Sequence, residues 1–357
     1  MRLTILQRKA ILKIPYTVRL LQKGVQDQFM TTQNLSPTQP MQAVIRNAYG
    51  SAEMLKLASL ERPTYREHEV LIRVRAASIN AADALLLHGT PFFLRLATGL
   101  FKPSSPLLGA DMAGTIEAVG SQVRRFKVGD EVFGDLSGAG LGGFAEYARA
   151  PEKILAHKPA GISFAQAAAV PMAACTALQA LRDKGQIQTG QKVLIYGASG
   201  GVGTFALQLA KHFGTEVTAS GNPAKHDFLR NLGVDHVVNH AQALNQSYDL
   251  IIAVGGSHWL SEYRQALRQG GRCVVVGGAL GQILSATIFG STVSSRERKI
   301  MGMLAQPSAN DLEYLGQLLE ENKIKAIIDK TYRLSQLPQA MRHFEGGQAK
   351  GKIVIEL

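Results

Sequence analysis

The segment VLIYGASGGVG, residues 193–203, decides the fold of this 357-residue chain. Its apolar start predicts a buried strand, and its glycine-rich turn leads into a helical pattern that runs from Val202 to Phe213. The same alternation of short β-rich runs and helical patterns continues through "EVTAS", "HVVN", "DLIIAV", the helical "HWLSEYRQALRQ" and "RCVVVGG". Strands and helices at this spacing predict parallel β-α-β units and therefore a doubly wound parallel sheet of the α/β class.

The glycine-rich turn between this strand and its helix has the features of a dinucleotide site. Gly200 and Gly201 would let the backbone approach a pyrophosphate closely, and Gly203 would let the helix pack tightly on the strand. The start of the helix offers unpaired N–H donors and the positive end of the helix dipole. We therefore predict that the cofactor is bound by Ala198, Ser199, Gly200, Gly201, Val202 and Gly203.

The end of the second strand predicts which dinucleotide is bound. A carboxylate about 20 residues after the turn would bind a ribose 2′-hydroxyl. Ser220, Gly221 and Asn222 occupy this place instead, and Lys225 follows them. Small polar groups with a lysine favour a 2′-phosphate, which a carboxylate would repel. We predict NADPH; the alternative is that Lys225 only solvates the start of a helix.

The composition predicts a globular protein and narrows its chemistry. Hydrophobic residues make up 46% of the chain, which is enough for a sizeable core in about two domains. Cys175 and Cys273 are isolated within apolar segments, which argues against a disulfide framework and against a thiolate metal cluster. The formal net charge of +12 would attract phosphate-bearing molecules, anionic lipid or nucleic acid. No basic strand motif with interleaved aromatic residues supports a nucleic-acid partner.

Residues 1–40 differ from the rest of the chain. They contain six Lys or Arg residues against one Asp, and they end in the polar, proline-containing TTQNLSPTQP. Three interpretations stay open: a targeting segment, an amphipathic helix that binds a surface, or an inert extension. We predict a poorly ordered extension and a cytoplasmic protein. A targeting role would instead make the protein organellar or peripheral to a membrane.

Further segments carry a family resemblance: "AASINAADALLLHG", "PLLGADMAGTIEAVG", "KVGDEVFG" and the C-terminal "QAKGKIVIEL". With the glycine-rich turn they resemble the zinc-free, zeta-crystallin-like quinone oxidoreductase branch of the medium-chain dehydrogenase/reductase superfamily, close to its alkenal/enone and envelope quinone reductases. The resemblance covers residues 41–357. It implies a barrel-like, β-rich catalytic (GroES-like) domain formed by 41–171 and 306–357, a Rossmann NADPH-binding domain at 172–305, and a homodimer.

The positions that carry zinc ligands in the alcohol dehydrogenases of this superfamily lack them here. The early cysteine and the Gly-His-Glu sequence are replaced by SINAAD and by Gly109-Ala110-Asp111. The four-cysteine lobe of structural zinc is also absent from the sequence, so we predict no metal. Without a Lewis acid to stabilise an alkoxide, alcohol oxidation is disfavoured. Hydride transfer to an electrophilic quinone or α,β-unsaturated carbonyl needs only orientation and hydrogen bonds to the resulting enolate.

The predicted function is an NADPH-dependent, zinc-independent reductase of a small lipophilic quinone, enone or alkenal. Two alternatives stay open. Relatives that resemble lens zeta-crystallin accumulate as structural proteins and bind AU-rich RNA. An enoyl-thioester reductase would apply the same hydride chemistry to another substrate.

The resemblance assigns residues around the nicotinamide. Asn80 and Asp83 match a polar pair near the ring and are the catalytic candidates. Thr176 matches a contact to the carboxamide side of the cofactor. The backbone positions that match the lining of the nicotinamide half are Val254, Gly255 and Gly277.

The resemblance also assigns residues around the phosphates. Gly221 and Lys225 match contacts to the 2′-phosphate, and His240 falls where relatives offer an aromatic ring to the same group. Lys352, near the C-terminus, is a further cofactor candidate. Asp111 is expected to be structural.

One departure from the family pattern concerns proton donation. Relatives commonly place a tyrosine and an arginine beyond the polar pair, where this chain has Leu85 and Leu87. His88 could replace the tyrosine, or solvent could protonate the enolate. The proton donor is left unassigned.

The segment HGTPFFLRLATGLFKP, residues 88–103, is the most apolar irregular stretch of the chain. We predict that it forms an apolar substrate wall with the side chains of Phe92, Phe93, Leu96 and Phe101. Ordinary core packing and contact with a membrane surface are the alternatives.

Overall fold

The computed structural model describes residues 40–256, 258–277, 280–295 and 297–357. Apart from Pro40, the predicted N-terminal extension lies outside these residues. Within the described residues, no helix combines the length and the apolar character that crossing a membrane requires.

The strands follow one another along the whole described chain. In chain order they are β1 Pro40–Ile45, β2 Lys56–Glu61, β3 Glu69–Ser78, β4 Asp111–Val119, β5 Glu131–Asp135, β6 Tyr147–Pro151, β7 Leu155–His157, β8 Lys192–Tyr196, β9 Glu216–Ser220, β10 His236–Val238, β11 Tyr248–Val254, β12 Leu267–Val276, β13 Lys299–Gly302, β14 Ile328–Arg333 and β15 Lys352–Glu356.

Most α-helices lie in the second half of the chain. In chain order they are α1 Ala81–His88, α2 Arg95–Thr98, α3 Phe164–Ala168, α4 Pro171–Gln179, α5 Gly201–His212, α6 His226–Arg230, α7 Leu260–Gln265, α8 Leu280–Val293, α9 Ala309–Glu320 and α10 Leu337–Glu345.

A six-stranded sheet with the order β10-β9-β8-β11-β12-β13 forms the centre of the second half. Every neighbouring pair in it is parallel, so the predicted doubly wound Rossmann sheet is confirmed. The chain runs outward from β8 in both directions, which places a topological switch point between β8 and β11. Ligands of such sheets bind beyond the carboxyl ends of the strands at this point.

A seven-stranded sheet organises the rest of the molecule. Its order is β14-β15-β3-β4-β5-β7, with β6 also pairing with β3. β3 pairs antiparallel with β4, β6 and β15, so the C-terminal strand completes a sheet that the first half of the chain begins. This confirms the predicted β-rich, GroES-like fold. The exact domain bounds at 171 and 306 stay predictions.

Helices α4 and α5 join the two sheets through a shared core. Ala206, Leu209 and Ala210 of α5 are buried, as the helical pattern of the sequence predicts, and Phe205 is buried as well. They belong to one apolar cluster that also contains residues of α3, α4, β8, β9 and α9. Each large apolar side chain in it stabilises the fold by roughly 1.5–3 kcal/mol.

One predicted element has different bounds. The segment "HWLSEYRQALRQ" was expected to be helical throughout, but α7 ends at Gln265 and Leu267 already belongs to β12. Leu267 is fully buried and pairs with Tyr248 of β11. Tertiary packing therefore overrides the local helical pattern at this point.

Candidate functional site

The glycine-rich turn connects β8 to α5 at the carboxyl edge of the parallel sheet. Gly203 packs directly on the turn, because a Cβ atom there would lie 2.4 Å from the backbone oxygen of Gly197. A Cβ atom at Gly200 would meet no atom closer than 3.8 Å. The turn is thus tight on its inner side and open at Gly200.

The start of α5 borders the open side of this turn. Gly200 is the N-cap residue, and no side chain caps this helix. A helix start whose first N–H groups have no side-chain cap is suited to bind a pyrophosphate. The predicted residues of the turn, from Ala198 to Gly203, therefore lie where they could hold a dinucleotide.

The seven-stranded sheet contacts this turn directly. The backbone N–H of Gly351 donates to the oxygen of Ser199 over 2.9 Å. The side chain of Lys352 lies over Gly201, where a Cβ atom would come within 2.7 Å of its Cδ atom. A glycine at position 201 therefore leaves room for a lysine from the other sheet.

Residues predicted to contact the 2′-phosphate lie beyond β9. Ser220 is buried, and its Oγ atom is 2.9 Å from Nδ1 of His240. Asn222 is exposed, and its Oδ1 atom accepts a hydrogen bond from the N–H of Ala224. The buried Gly221 follows Ser220. The structure thus brings these four predicted residues together at one end of the sheet.

Lys225 lies beside this group, but much of its hydrogen-bonding capacity is used within the protein. Its ammonium donates to the carbonyl oxygens of Gly347 and Ala349 over 2.9 and 2.8 Å. Burial lowers the pKa of this ammonium. One of its three N–H bonds remains for a ligand.

The residues predicted along the nicotinamide half follow β11 and β12. Val254 ends β11, and the N–H of Gly255 donates to the oxygen of Val276 over 3.1 Å. Gly255 and Gly277 both have positive φ, 59° and 62°, which favours glycine. Thr176 of α4 is buried, and its hydroxyl donates to the oxygen of Met172 over 2.6 Å.

A buried polar cluster lies on the other side of the turn. The ammonium of Lys352 donates to the oxygen of Ile79 over 3.0 Å, to Oδ1 of Asn80 over 2.5 Å and to Oδ2 of Asp111 over 3.4 Å. Nδ2 of Asn80 donates to Oδ2 of Asp111 over 2.9 Å. Both ends of the Asn80 amide are therefore engaged. We call Asn80, Asp83, Asp111 and Lys352 the Lys352 cluster.

The two carboxylates of the Lys352 cluster also fix the backbone. Asp83 accepts hydrogen bonds from the N–H groups of Asn80 and Gly109 over 2.9 and 3.0 Å. Oδ1 of Asp111 accepts from the N–H of Met172 over 2.8 Å, which ties β4 to α4. The expected structural role of Asp111 agrees with this contact.

Burial shifts the acid–base behaviour of this region. It raises the pKa of the Asp83 carboxyl to about 6. Burial, with the neighbouring Asp111 next in importance, also raises the pKa of Asp135. Burial lowers the pKa of the Lys352 ammonium, while Asp111 and Asp83 oppose that shift. The cluster thus holds several proton-binding groups in a site without direct exposure.

The predicted substrate wall forms an exposed apolar surface. Phe92, Phe93, Leu96 and Phe101 are 64%, 43%, 69% and 90% exposed. The alternative of ordinary core packing is therefore excluded for these side chains, since they are exposed and do not enter a core cluster. They leave a large apolar area available to a ligand.

The base of this exposed segment is held by polar contacts. Nε of Arg95 donates to the oxygen of Gly89 over 2.9 Å, and its guanidinium lies 4.5 Å from the centre of the Tyr49 ring. The Tyr49 hydroxyl donates to the oxygen of Gly99 over 2.7 Å. The sequence did not single out Tyr49, which is separated from the segment by about forty residues of chain.

The side chains at the positions where the sequence departs from the family pattern, Leu85, Leu87 and the neighbouring His88, contact other parts of the protein. Leu87 is fully buried and Leu85 is half-buried. Nε2 of His88 lies 2.7 Å from Oε1 of Glu345, so the two side chains form an ion pair when the imidazole is protonated. His88 therefore already has a partner on α10.

The described residues contain no group of three or more His, Cys, Asp or Glu side chains placed to hold a metal ion. Cys175 and Cys273 are both buried and unpaired with each other. Burial raises the pKa of both thiols.

Two family models match the chain. The one described as "Alcohol dehydrogenase GroES-like domain" matches residues 66–160, and the one described as "Zinc-binding dehydrogenase" matches residues 232–355. The first corresponds to the β-rich sheet, and the second covers much of the parallel sheet and the C-terminal strands. The fold and the site thus define an oxidoreductase of the dehydrogenase/reductase class.

Individual relatives narrow this class. The chain is 32% identical over 335 residues to the "Chloroplast envelope quinone oxidoreductase homolog" of Arabidopsis thaliana, covering 88% of this chain and 98% of the relative. It is 31% identical to the "NADPH-dependent alkenal/one oxidoreductase, chloroplastic" of the same plant, covering 91% and 81%. The structure of the quinone oxidoreductase from Coxiella burnetii matches with a TM-score of 0.79 and 32% identity, covering 89% and 100%. The chain belongs to the medium-chain dehydrogenase/reductase superfamily, in its quinone oxidoreductase branch.

Proposed function

We propose that this protein is an NADPH-dependent, zinc-independent reductase that transfers hydride to a quinone or to the activated C=C bond of an α,β-unsaturated carbonyl. The observation that carries the proposal is the open start of α5. No side chain caps this helix, and a Cβ atom at Gly200 would meet no atom closer than 3.8 Å, at the switch point of the parallel sheet. The name of one relative states NADPH dependence, and the names of the others state quinone oxidoreduction.

The chain's own residues would bind and orient the cofactor. The amides at Gly201, Val202 and Gly203 would hold its pyrophosphate, and the backbone beyond Val254 and Gly277 would lie along its nicotinamide half. A bound nicotinamide dinucleotide supplies a hydride. The β-rich sheet reaches the turn through Gly351, so the two sheets border the same site.

The Lys352 cluster would hold the nicotinamide side of the site in one geometry. The amide of Asn80 is fixed between Lys352 and Asp111, and Asp83 fixes the backbone at Asn80. We assign these residues to positioning and to charge near the enolate rather than to direct proton transfer. Solvent is the proposed source of the proton, since His88 is paired with Glu345.

The exposed apolar segment suits a lipophilic acceptor. Its four large side chains would contact an alkyl or prenyl chain, and Lys102 beside Phe101 would suit a membrane surface from which such an acceptor is taken. We further propose a homodimer. The alternative organellar location gains support from relatives whose names read chloroplastic.

A substrate panel tests the proposed function. Purified protein is assayed with NADPH against a series of quinones and a series of 2-alkenals and enones, after dialysis against a chelator. We expect turnover of at least one series, and preference between the two identifies the acceptor. Tight NADPH binding without oxidation by any acceptor would contradict the proposal and favour a cofactor-binding protein without reductase activity.

A further inference from the structure

Three histidines gather at the carboxyl ends of β9, β10 and β11, beside the proposed adenosine ribose site. Nδ1 of His240 is 2.9 Å from the Ser220 hydroxyl, and Nε2 of His226 is 3.2 Å from the oxygen of Gly221. His258 follows β11, and its ring lies 5.3 Å from the ring of Tyr196. The ring of His240 lies 4.7 Å from the same tyrosine.

The charges around His240 come from each neighbouring element. His226 begins α6, and His258 lies before α7; positive charge on either disfavours protonation of His240. Nδ1 of His258 lies 3.4 Å from Oε2 of Glu262 on α7. Ser220 of β9 contributes a hydroxyl group, and Tyr196 of β8 contributes its aromatic ring. Burial, with the two other histidines, lowers the pKa of His240 and so favours the neutral ring in the free protein.

A phosphate beside His240 would instead favour the protonated ring. The residues at the end of β9 are Ser220, Gly221 and Asn222, none of which is acidic. In the described part of the chain, Nε2 of His240 has no hydrogen-bond partner. A phosphate dianion beside it would favour the imidazolium, which donates a charge-assisted hydrogen bond.

Lys225 alone accounts poorly for recognition of this phosphate. Two of its three N–H bonds go to Gly347 and Ala349. We infer that His240, assisted by His226 and His258, forms a proton-dependent site for the 2′-phosphate, so that selection of NADPH over NADH strengthens as the pH falls. This inference rests on the proposed NADPH-dependent function.

Calorimetry with two nucleotides tests the inference on the full chain. The probes are 2′,5′-ADP and 5′-AMP, which differ only in the 2′-phosphate. For the wild type we expect the ratio of their dissociation constants to change roughly fivefold in favour of 2′,5′-ADP between about pH 8 and about pH 6.5. The His240→Asn variant should lose most of this change, because its amide does not titrate.

A matched control uses a histidine at the amino ends of the same strands. His236 pairs with Glu216 at the start of β9, so His236→Asn should keep the wild-type pH dependence. An equal pH dependence in the wild type and in His240→Asn would overturn the inference. If 2′,5′-ADP bound no more tightly than 5′-AMP at any pH, the NADPH preference itself would fail, and the inference with it.

Proton exchange gives a second readout that needs no variant. Titrations in buffers of different ionisation enthalpy should show proton uptake near pH 7 with 2′,5′-ADP but not with 5′-AMP. The ligand cannot cause uptake, because a phosphate with a second pKa of about 6 releases protons when cations bind it. Proton release, or no exchange, would overturn the inference.

Discussion

The glycine-rich turn and the Lys352 cluster lie side by side, but they differ in how their polar groups are hydrogen-bonded within the protein. At the turn, α5 begins without a side-chain cap and Gly200 faces open space. In the cluster, the ammonium of Lys352 donates to three oxygens, and Asp83 accepts two backbone N–H groups. We infer that the uncapped helix start would bind a ligand, whereas the closed network of the Lys352 cluster holds the sheets beside it.

Removing the ammonium of the Lys352 cluster should have the largest effect. Lys352→Met leaves the buried Asp111 without its cation, which should lower the free energy of unfolding by about 3–5 kcal/mol. Urea denaturation measures the change. The neighbouring exposed Lys350 is the control, and Lys350→Met should stay within about 0.5 kcal/mol of wild type. Similar small losses in both variants would show that the cluster does not hold the two sheets.

The buried carboxyl of Asp83 should give the next largest effect, and one that depends on pH. Its pKa is raised from 3.8 to about 6, so the folded state binds this proton more tightly than the unfolded state. This group's contribution to stability is therefore lost as the pH rises from 3.8 to 6, by up to about 3 kcal/mol. The Asp83→Asn variant lacks this titration.

The comparison of wild type with Asp83→Asn isolates that contribution. Both proteins share their other titrating groups, so the difference between their free energies of unfolding should shrink as the pH rises from 3.8 to 6. The variant also lacks one of the two oxygen acceptors that bind backbone N–H groups. It should therefore be less stable than the wild type near pH 3.8. A difference that grows with pH would contradict the assigned direction.

Two glycines of the turn should separate stability from binding. Gly203→Ala places a Cβ atom against backbone and should cost about 1–3 kcal/mol of stability. Gly200→Ala places it in open space, so stability should hold while NADPH affinity falls about tenfold. Thermal melts and fluorescence titration measure the two quantities. Loss of stability in Gly200→Ala with unchanged NADPH affinity would contradict our assignment of Gly200 to the open side of the turn and of Gly203 to its packed side.

The exposed apolar segment should show the smallest effect on stability. Phe101 is 90% exposed, so Phe101→Ser should change the free energy of unfolding by less than about 0.5 kcal/mol. The KM for a long-chain alkenal should rise roughly fivefold, while that for a small quinone should not change. Equal KM values for wild type and variant with both substrates would exclude Phe101 from the substrate site.

The sequence predicted features that depend on neighbouring residues in the chain. The order of strand, turn and helix around Gly200 is local, so its pattern predicts the parallel sheet and its glycine spacing predicts the phosphate site. The β-rich sheet was predicted through the family resemblance, because the antiparallel pairing of β3 with β15 joins distant segments.

Contacts between distant residues could not be predicted in this way. The contact of Lys352 with Asp111 spans 241 residues, and nothing local to either residue indicates it. The ties from Lys225 to Gly347 and Ala349 are of the same kind. The early end of α7 has the same cause, since Leu267 pairs with Tyr248 of a neighbouring strand.

A single-turnover experiment tests the central claim most directly. Chelator-dialysed protein is mixed with an equimolar amount of NADPH and then with excess quinone or 2-alkenal, while the absorbance of the reduced nicotinamide is followed. We predict that one equivalent of NADPH is oxidised by at least one acceptor class without added metal. Bound NADPH that stays reduced with every acceptor, or that is oxidised only after zinc is restored, would contradict the account.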